Sequence, residues 1–276
     1  MQAKRKEIID DHRSFLNKRG ISNDVIGSFN IHSGPGPSTL MPKAIVIPVH
    51  DVDDKYLFNK YRRCPSEGNV NPKYLFDTGG KISLYGVNYL IKYTKHIKPG
   101  KNDKDKTKLV ITEGELDTLV CWSLGIPAVT STAGAMSFRE EWLELLDRFD
   151  VYICFDNDDA GYRGAIKLLD FIPHAKVVFI PGGNPKIKDI SDFVGSGGDF
   201  ETLMREAESF EILSDVKKRR DEIASKWGNN LFHRMFIEHK RQLEIAPVDI
   251  TGKRDVHVYQ GPNLSLIHIS EPTRPY

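Results

Sequence analysis

The hydrophobic pattern of this 276-residue chain changes character once, near residue 107. Downstream, apolar runs alternate with amphipathic stretches: "KLVIT" (108–112), "GELDTLVCWSLG" (114–125), "IPAVTST" (126–132), "SFREEWLELLDRF" (137–149), "VYICFD" (151–156), "DAGYRGAIKLLDFI" (159–172) and "AKVVFI" (175–180). The apolar runs suit strands buried on both faces, and the stretches between them carry apolar residues at helical spacing. This alternation predicts an α/β unit: a mainly parallel, four-stranded, Rossmann-like sheet with flanking helices. Upstream the pattern predicts a helix over 3–18 stopped by Gly20, then a Gly/Pro-rich loop, "HSGPGPSTLMP" (32–42). "AIVIPVHD" and "KYLFNKYRR" read as a strand pair around "DVDD", with more strand and turn material in "PKYLFDTGG" and "SLYG". A smaller α+β unit therefore precedes the α/β unit. The polar stretch "YTKHIKPGKNDKDKTK" (93–108) marks the boundary, so the expected segments are 1–106, 107–208, a charged helical linker at 209–263, and a tail at 264–276.

Charge sharpens this division. Residues 1–106 carry 19 Lys and Arg against 11 Asp and Glu, a surplus of 8, whereas residues 107–195 carry 8 against 14, a deficit of 6. The first half suits a polyanion and the second a cation. The chain has no run of 18 apolar residues, and charges fill its first 16 positions where an export signal needs an apolar stretch, so no membrane partner and a cytoplasmic location are expected. Cys64, Cys121 and Cys154 lie far apart without zinc-ligand spacing, and read as reduced packing residues.

The candidate chemistry lies at strand ends. Glu113 follows "KLVIT", Asp156 and Asp158 follow "VYICF", and Asp189 and Asp192 lie in "KDISDF" after the fourth strand. An extended chain would point Asp156 and Asp158 to the same side. In a parallel sheet these carboxyl-terminal loops share one edge, where ligands bind. Carboxylates gathered there repel one another unless a hard cation neutralises them, and an all-oxygen donor set points to Mg2+ or Mn2+. Asp158 or Asp159 would also suit the N-cap of the helix that starts at Ala160, and Glu115, in the first turn of the helix after the first strand together with Asp117, would suit that helix's N-terminus.

"EGELD", "FDNDDAG" and "KDISDF" together resemble the Toprim domain shared by bacterial-type DNA primases, topoisomerases, OLD-type nucleases and RecR-like recombination proteins. The resemblance implies that Glu113, Asp156 and Asp158 are the functional acids, with Asp189 and Asp192 completing the metal shell and Glu113 serving as ligand or general base. Upstream, "RGISNDVIGSFNIH", "AIVIPVHD" and "YRRCPSEGNVNPKYLFDTGGKISLYG" resemble, in order, the amino-terminal half of the primase polymerase core. That implies a basic ridge of Arg62, Arg63, Lys73, Tyr74 and Lys81 touching template or nucleotide. The expected activity is metal-dependent synthesis of short RNA primers from ribonucleoside triphosphates on single-stranded DNA, in partnership with a replicative helicase. A Toprim nuclease and a non-catalytic single-strand-binding accessory remain alternatives, whereas a topoisomerase would need a further domain for its tyrosine nucleophile.

Three departures stand out. No cysteine precedes Cys64, so the zinc ribbon of many primases is expected to be encoded elsewhere, or to be dispensable, or the protein to prime differently; Ser191 stands where many relatives place Asp or Asn; and no GxxxxGK[ST] loop is present. "LSLIHISEPTR" (264–274) resembles the translation of a sequencing adapter, which would make the tail an assembly artefact and the gene a phage or plasmid one whose helicase part was lost. Deleting residues 264–276 should leave the melting temperature unchanged. A fall of several degrees, equivalent to about 1 kcal/mol or more, would show instead that the tail packs on the core.

Overall fold

A computed structural model describes residues 7–68, 71–95, 106–181 and 186–209. The expected tail, and the expected linker beyond residue 209, lie outside the described residues. Helix α1 (Asp10–Lys18) carries Asp10 and Asp11 in its first turn and Lys18 in its last, matching the helix dipole, and buries His12 and Leu16. Helix α2 (Asn23–Ser28) is capped by the Ser22 hydroxyl, which accepts the Val25 N–H at 3.3 Å. Strands β1 (His32–Gly34), β2 (Ala44–His50), β3 (Tyr56–Arg62) and β4 (Tyr74–Phe76) then form an antiparallel sheet in that order.

Strand β2 shows why this sheet is sandwiched. Ile45, Ile47 and Val49 face the main core, whereas Ala44 and Val46 join Met41 and Tyr61 in a smaller cluster on the other face. Period-two alternation thus carries apolar residues to both sides, and "AIVIPVH" is apolar because both sides are covered. His12 is fully buried between elements, its ring bonded to the Ser33 hydroxyl (2.8 Å) and the Glu67 carboxylate (3.1 Å), which ties the Pro65–Glu67 turn to α1.

The second sheet is larger than expected. Strand β5 (Leu84–Tyr85) and helix α3 (Val87–Thr94) come before β6 (Thr107–Thr112), α4 (Glu115–Ser123), β7 (Ala128–Ser131), α5 (Leu143–Leu146), β8 (Phe149–Cys154), α6 (Asp159–Phe171), β9 (Lys176–Val177), α7 (Ile190–Gly195), α8 (Phe200–Arg205) and β10 (Glu208–Ser209). The strand order is β10-β9-β8-β6-β7-β5, with β9, β8, β6 and β7 parallel, as the alternation predicts. Strand β5 lies in "SLYG", read as strand and turn material, but its antiparallel pairing with the second sheet and the edge strand β10 were not legible in the sequence. Two-residue strands are set by a neighbouring edge rather than by periodicity. Since β5 pairs with β7, the first 106 residues contribute an edge strand to the second sheet.

The helix expected over 137–149 is broken into the 3-10 turn Glu140–Trp142 and the short α5. Ser137 is held out of the helical path by bonds from its hydroxyl to the Ser131 hydroxyl (2.6 Å) and the Gly134 carbonyl (2.7 Å). Phe138 and Trp142 are buried edge to face, 5.1 Å apart, so packing overrides local helix preference.

One hydrophobic cluster runs from Ile8 to Met204 through both halves. Within it lies an ion pair. The Lys60 ammonium, on β3, donates to both Glu115 oxygens (2.6 and 2.7 Å) on α4 and to the Thr132 carbonyl (3.0 Å), with the Glu115 side chain only 1% exposed. Such a pair is expensive to form and far more expensive to halve. Lys60→Met should therefore destabilise the fold by about 3–5 kcal/mol, while Lys60→Met with Glu115→Leu should recover most of that loss in urea unfolding. Equal losses in the single and double variants would show that the pair contributes through shape alone.

Candidate functional site

Three carboxylates meet at the carboxyl-terminal edge of the parallel strands. Asp117, Asp156 and Asp189 each place an oxygen within 4.8 Å of the others. Each comes from a different element. Asp117 lies in the first turn of α4, Asp156 two residues beyond β8, and Asp189 is the N-cap of α7, where it accepts the Asp192 N–H at 2.6 Å. The loops are tied together, since the Asn157 N–H donates to the Lys188 carbonyl at 2.9 Å. Ser191 holds the buried Asp117, its N–H (2.9 Å) and hydroxyl (2.5 Å) both donating to Oδ1.

The glycine of "DDAG" has a steric role here. A Cβ on Gly161 would fall 2.2 Å from the Asp156 carbonyl oxygen, so only glycine lets α6 start this close to Asp156.

The expected acids are distributed unevenly. Glu113 borders the trio, its Oε2 accepting the Asp156 N–H at 3.1 Å. Asp158 is exposed and caps α6, accepting the Ala160 and Gly161 N–H groups at 3.0 Å each. The expected common direction of Asp156 and Asp158 fails because β8 ends at Cys154, and the Asp158 N–H turns back to the Asp156 carbonyl at 2.8 Å. Asp192 lies beside the trio and pairs with Arg19 at 3.2 Å. Asp117 takes the third place instead. The sequence carried part of the signal for it: an acid in the first turn of the helix that leaves the Glu113 strand end.

Crowding perturbs these acids. Burial and the charges of Asp117, Glu113 and Asp189 push Asp156 up to about 9. Burial and Asp189 push Asp117 up to about 7, against the Ser191 bonds and Arg19. Glu113 is also held above the ordinary carboxylate range, by burial first and then by Asp158 and Asp189. The donor set is all oxygen, crowded and short of countercharge, and a divalent cation fits it.

The expected basic residues sit on the first sheet. Arg62 (3% exposed) and Arg63 (8%) are buried rather than displayed on a ridge. Arg62 Nε donates to the Tyr74 hydroxyl at 3.0 Å and its guanidinium lies 4.5 Å from the Phe15 ring centre, while Arg63 donates to the Leu40 carbonyl. Lys73 is exposed, its ammonium 5.6 Å from the Tyr74 ring centre. Partial desolvation, then the Arg62 and Arg19 charges, hold Lys73 below the usual lysine value, and Asp189 and Asp156 pull against them. The acidic edge thus acts electrostatically on Lys73. Lys81 is exposed on the loop before β5. Among the described residues, no helix is long and apolar enough to cross a membrane.

The profile of the Toprim-like family matches residues 110–194, the span that holds all three clustered acids. The DNA primase of Thermotoga maritima is 31% identical over 150 residues, covering 53% of this chain and 26% of that protein. The chain belongs to the Toprim-domain DNA primase family. The gene 57 protein of Mycobacterium phage D29 is similar too, 30% identical over 147 residues that cover 53% of this chain and 84% of that one. The structure of the DnaG primase catalytic domain bound to ssDNA has the same fold, with a TM-score of 0.55 at 21% identity over 81% of this chain and 82% of that one. The chain spans between about a quarter and a half of the length of the curated primases it matches.

The raised acids set a pH dependence for this Toprim unit. A carboxyl whose folded value lies above its unfolded value binds more protons in the native state, so stability falls as pH rises through that interval. For Asp156 the interval runs from 3.8 to about 9. Without divalent ions, wild type should lose stability relative to Asp156→Asn as pH rises across it, and magnesium at the alkaline end should restore the difference. Parallel pH curves for the two proteins in chemical denaturation would contradict the crowding.

Proposed function

We propose that this protein is the RNA-polymerising core of a DNA primase, joining ribonucleoside triphosphates on single-stranded DNA. The observation that carries the reading is the nearness of two chemistries: the trio Asp117, Asp156 and Asp189 on the Toprim edge, and Lys73 of the first sheet, on which the Asp189 and Asp156 charges act. Family membership supports the choice of joining over cleavage, because the curated relatives matched over most of this chain are DNA primases.

Asp117, Asp156 and Asp189 would hold Mg2+ or Mn2+, whose charge at this position would favour ionisation of the primer 3'-hydroxyl and departure of pyrophosphate. Glu113, set beside Asp156 and raised above the ordinary carboxylate range, would accept a proton from that hydroxyl. Lys73 contacts phosphate. Tyr74, its hydroxyl held by Arg62, would offer a ring to an unpaired base, with Arg62 fixing β4 against β3 and Arg63 tying the end of β3 to Leu40. Lys81 extends the positive surface along the loop before β5. Asp158 and Asp192 support the site through the starts of α6 and α7. Template, nucleotides and a replicative helicase are the partners this reading requires.

The deciding assay supplies single-stranded template, labelled ribonucleotides and magnesium, and reads new oligoribonucleotides against loss of template. Asp156→Asn should abolish synthesis, by more than about 100-fold, with single-strand affinity kept or raised. Lys73→Ala should weaken template binding with a shallower salt dependence, because about one fewer counterion is released, and excess template should shrink its synthesis defect. Template loss without synthesis would identify a nuclease. Synthesis by Asp156→Asn at unchanged magnesium dependence would remove the metal assignment.

A further inference from the structure

Arg19 follows the end of α1, and two glycines fix where it lies. Gly20 has φ of +86°, and a Cβ there would come within 2.8 Å of Val194 on α7. A Cβ on Gly195 would come within 2.7 Å of the Lys18 carbonyl. The end of α1 and helix α7 therefore interlock at backbone distance, which sets Arg19 over the first turn of α7. There one guanidinium nitrogen pairs with Asp189 at 2.8 Å and another with Asp192 at 3.2 Å.

This differs from an ordinary surface pair in three respects. The side chains are mostly buried, at 21% exposed for Arg19, 19% for Asp189 and 26% for Asp192. Asp189 also belongs to the carboxylate trio, so the arginine shares a ligand candidate with the expected cation. Arg19 Nε is buried without a hydrogen-bond partner, so the guanidinium is held by the two carboxylates and not by a full set of acceptors. A cation that bridges two acids beside a metal candidate occupies the position a second metal would take.

We propose that Arg19 is a built-in countercation for Asp189 and Asp192, so that the resting site takes one divalent ion, on Asp117, Asp156 and Asp189, and admits a second only when Arg19 is displaced. This rests on the metal reading of the trio. Ser191 supports it from the other side: its hydroxyl is spent on Asp117, which leaves Asp192, held by Arg19, as the further carboxylate of "KDISDF" that a second ion would recruit. Arg19 is a positioning residue in this scheme. It sets how many ions enter and never contacts the reacting atoms.

The test counts ions. Wild type, Arg19→Gln and Arg19→Lys, each with all 276 residues, are stripped with EDTA, checked for folding by circular dichroism, and titrated with Mn2+ while free Mn2+ is followed by electron paramagnetic resonance. Wild type should bind one ion well before a second. Arg19→Gln should tighten the second by about tenfold or more, since an opposing positive charge is removed at contact distance. Arg19→Lys, a point charge unable to bridge both carboxylates, should fall between. If Arg19→Gln does not fold, the lysine variant decides alone, and second-site binding equal to wild type overturns the proposal. Two equivalent ions on wild type, or identical titrations for all three proteins, overturn it while leaving the metal reading intact. No ion on any of them removes both.

Discussion

Like charges forced together at one sheet edge organise this molecule. Asp117, Asp156 and Asp189 arrive from the first turn of α4, the loop after β8 and the N-cap of α7, with oxygens within 4.8 Å, an arrangement that mutual repulsion and burial both disfavour. Much of what surrounds them reduces that cost. Ser191 gives Asp117 two hydrogen bonds, the Asp156 backbone gives one to Glu113, and Arg19 brings its charge from the other half of the chain. Proximity on this scale is maintained because the paired parallel strands fix where their carboxyl ends lie and the backbones of the two acidic loops are tied together. The scaffold holds a geometry that the acids on their own would abandon.

The same electrostatic demand explains how the two halves meet. Lys60 lies under the Tyr74 and Phe76 rings at 4.9 and 5.1 Å, and reaches across to Glu115 in the helix that also carries Asp117. Lys60 and Arg19 thus reach the acidic unit from two separate elements of the basic part. The charge asymmetry seen along the sequence is realised as contacts between the halves, and part of the positive surplus is consumed in holding the protein together. That is why Arg62 and Arg63, which looked available, are buried. Their guanidinium groups serve a tyrosine hydroxyl, neighbouring carbonyls and a phenylalanine ring.

Legibility in the sequence followed the range of the forces involved. The parallel strands of the second sheet, the β2–β3 pair and the convergence of Glu113, Asp156 and Asp189 were readable, because strand periodicity and strand-end position are local and a parallel sheet gathers its ends by geometry. Asp158 could be read as ligand or cap, and its hydrogen bonds show it capping α6. Asp117 was visible as a first-turn helix acid, but its membership of the trio depends on how α4 rotates against α7, which no single-strand pattern encodes. The broken helix near Ser137 and the two-residue edges β5 and β10 are decided by tertiary neighbours, as is Arg19, some 170 residues from its partner Asp189.

The short strand β5 has a consequence for how such proteins are assembled over evolution. It closes the flank of β7 with Leu84 and Tyr85, both buried, and the Thr132 N–H continues the bonding to the Ser83 carbonyl at 3.0 Å. A Toprim unit cut from this chain at the apparent boundary would leave β7 with a bare row of donors and acceptors, an open invitation to pair with another molecule. Recombination that moves the acidic unit into a new protein must therefore carry "SLYG" with it or supply a substitute flank. The unit of inheritance is larger than the unit of chemistry.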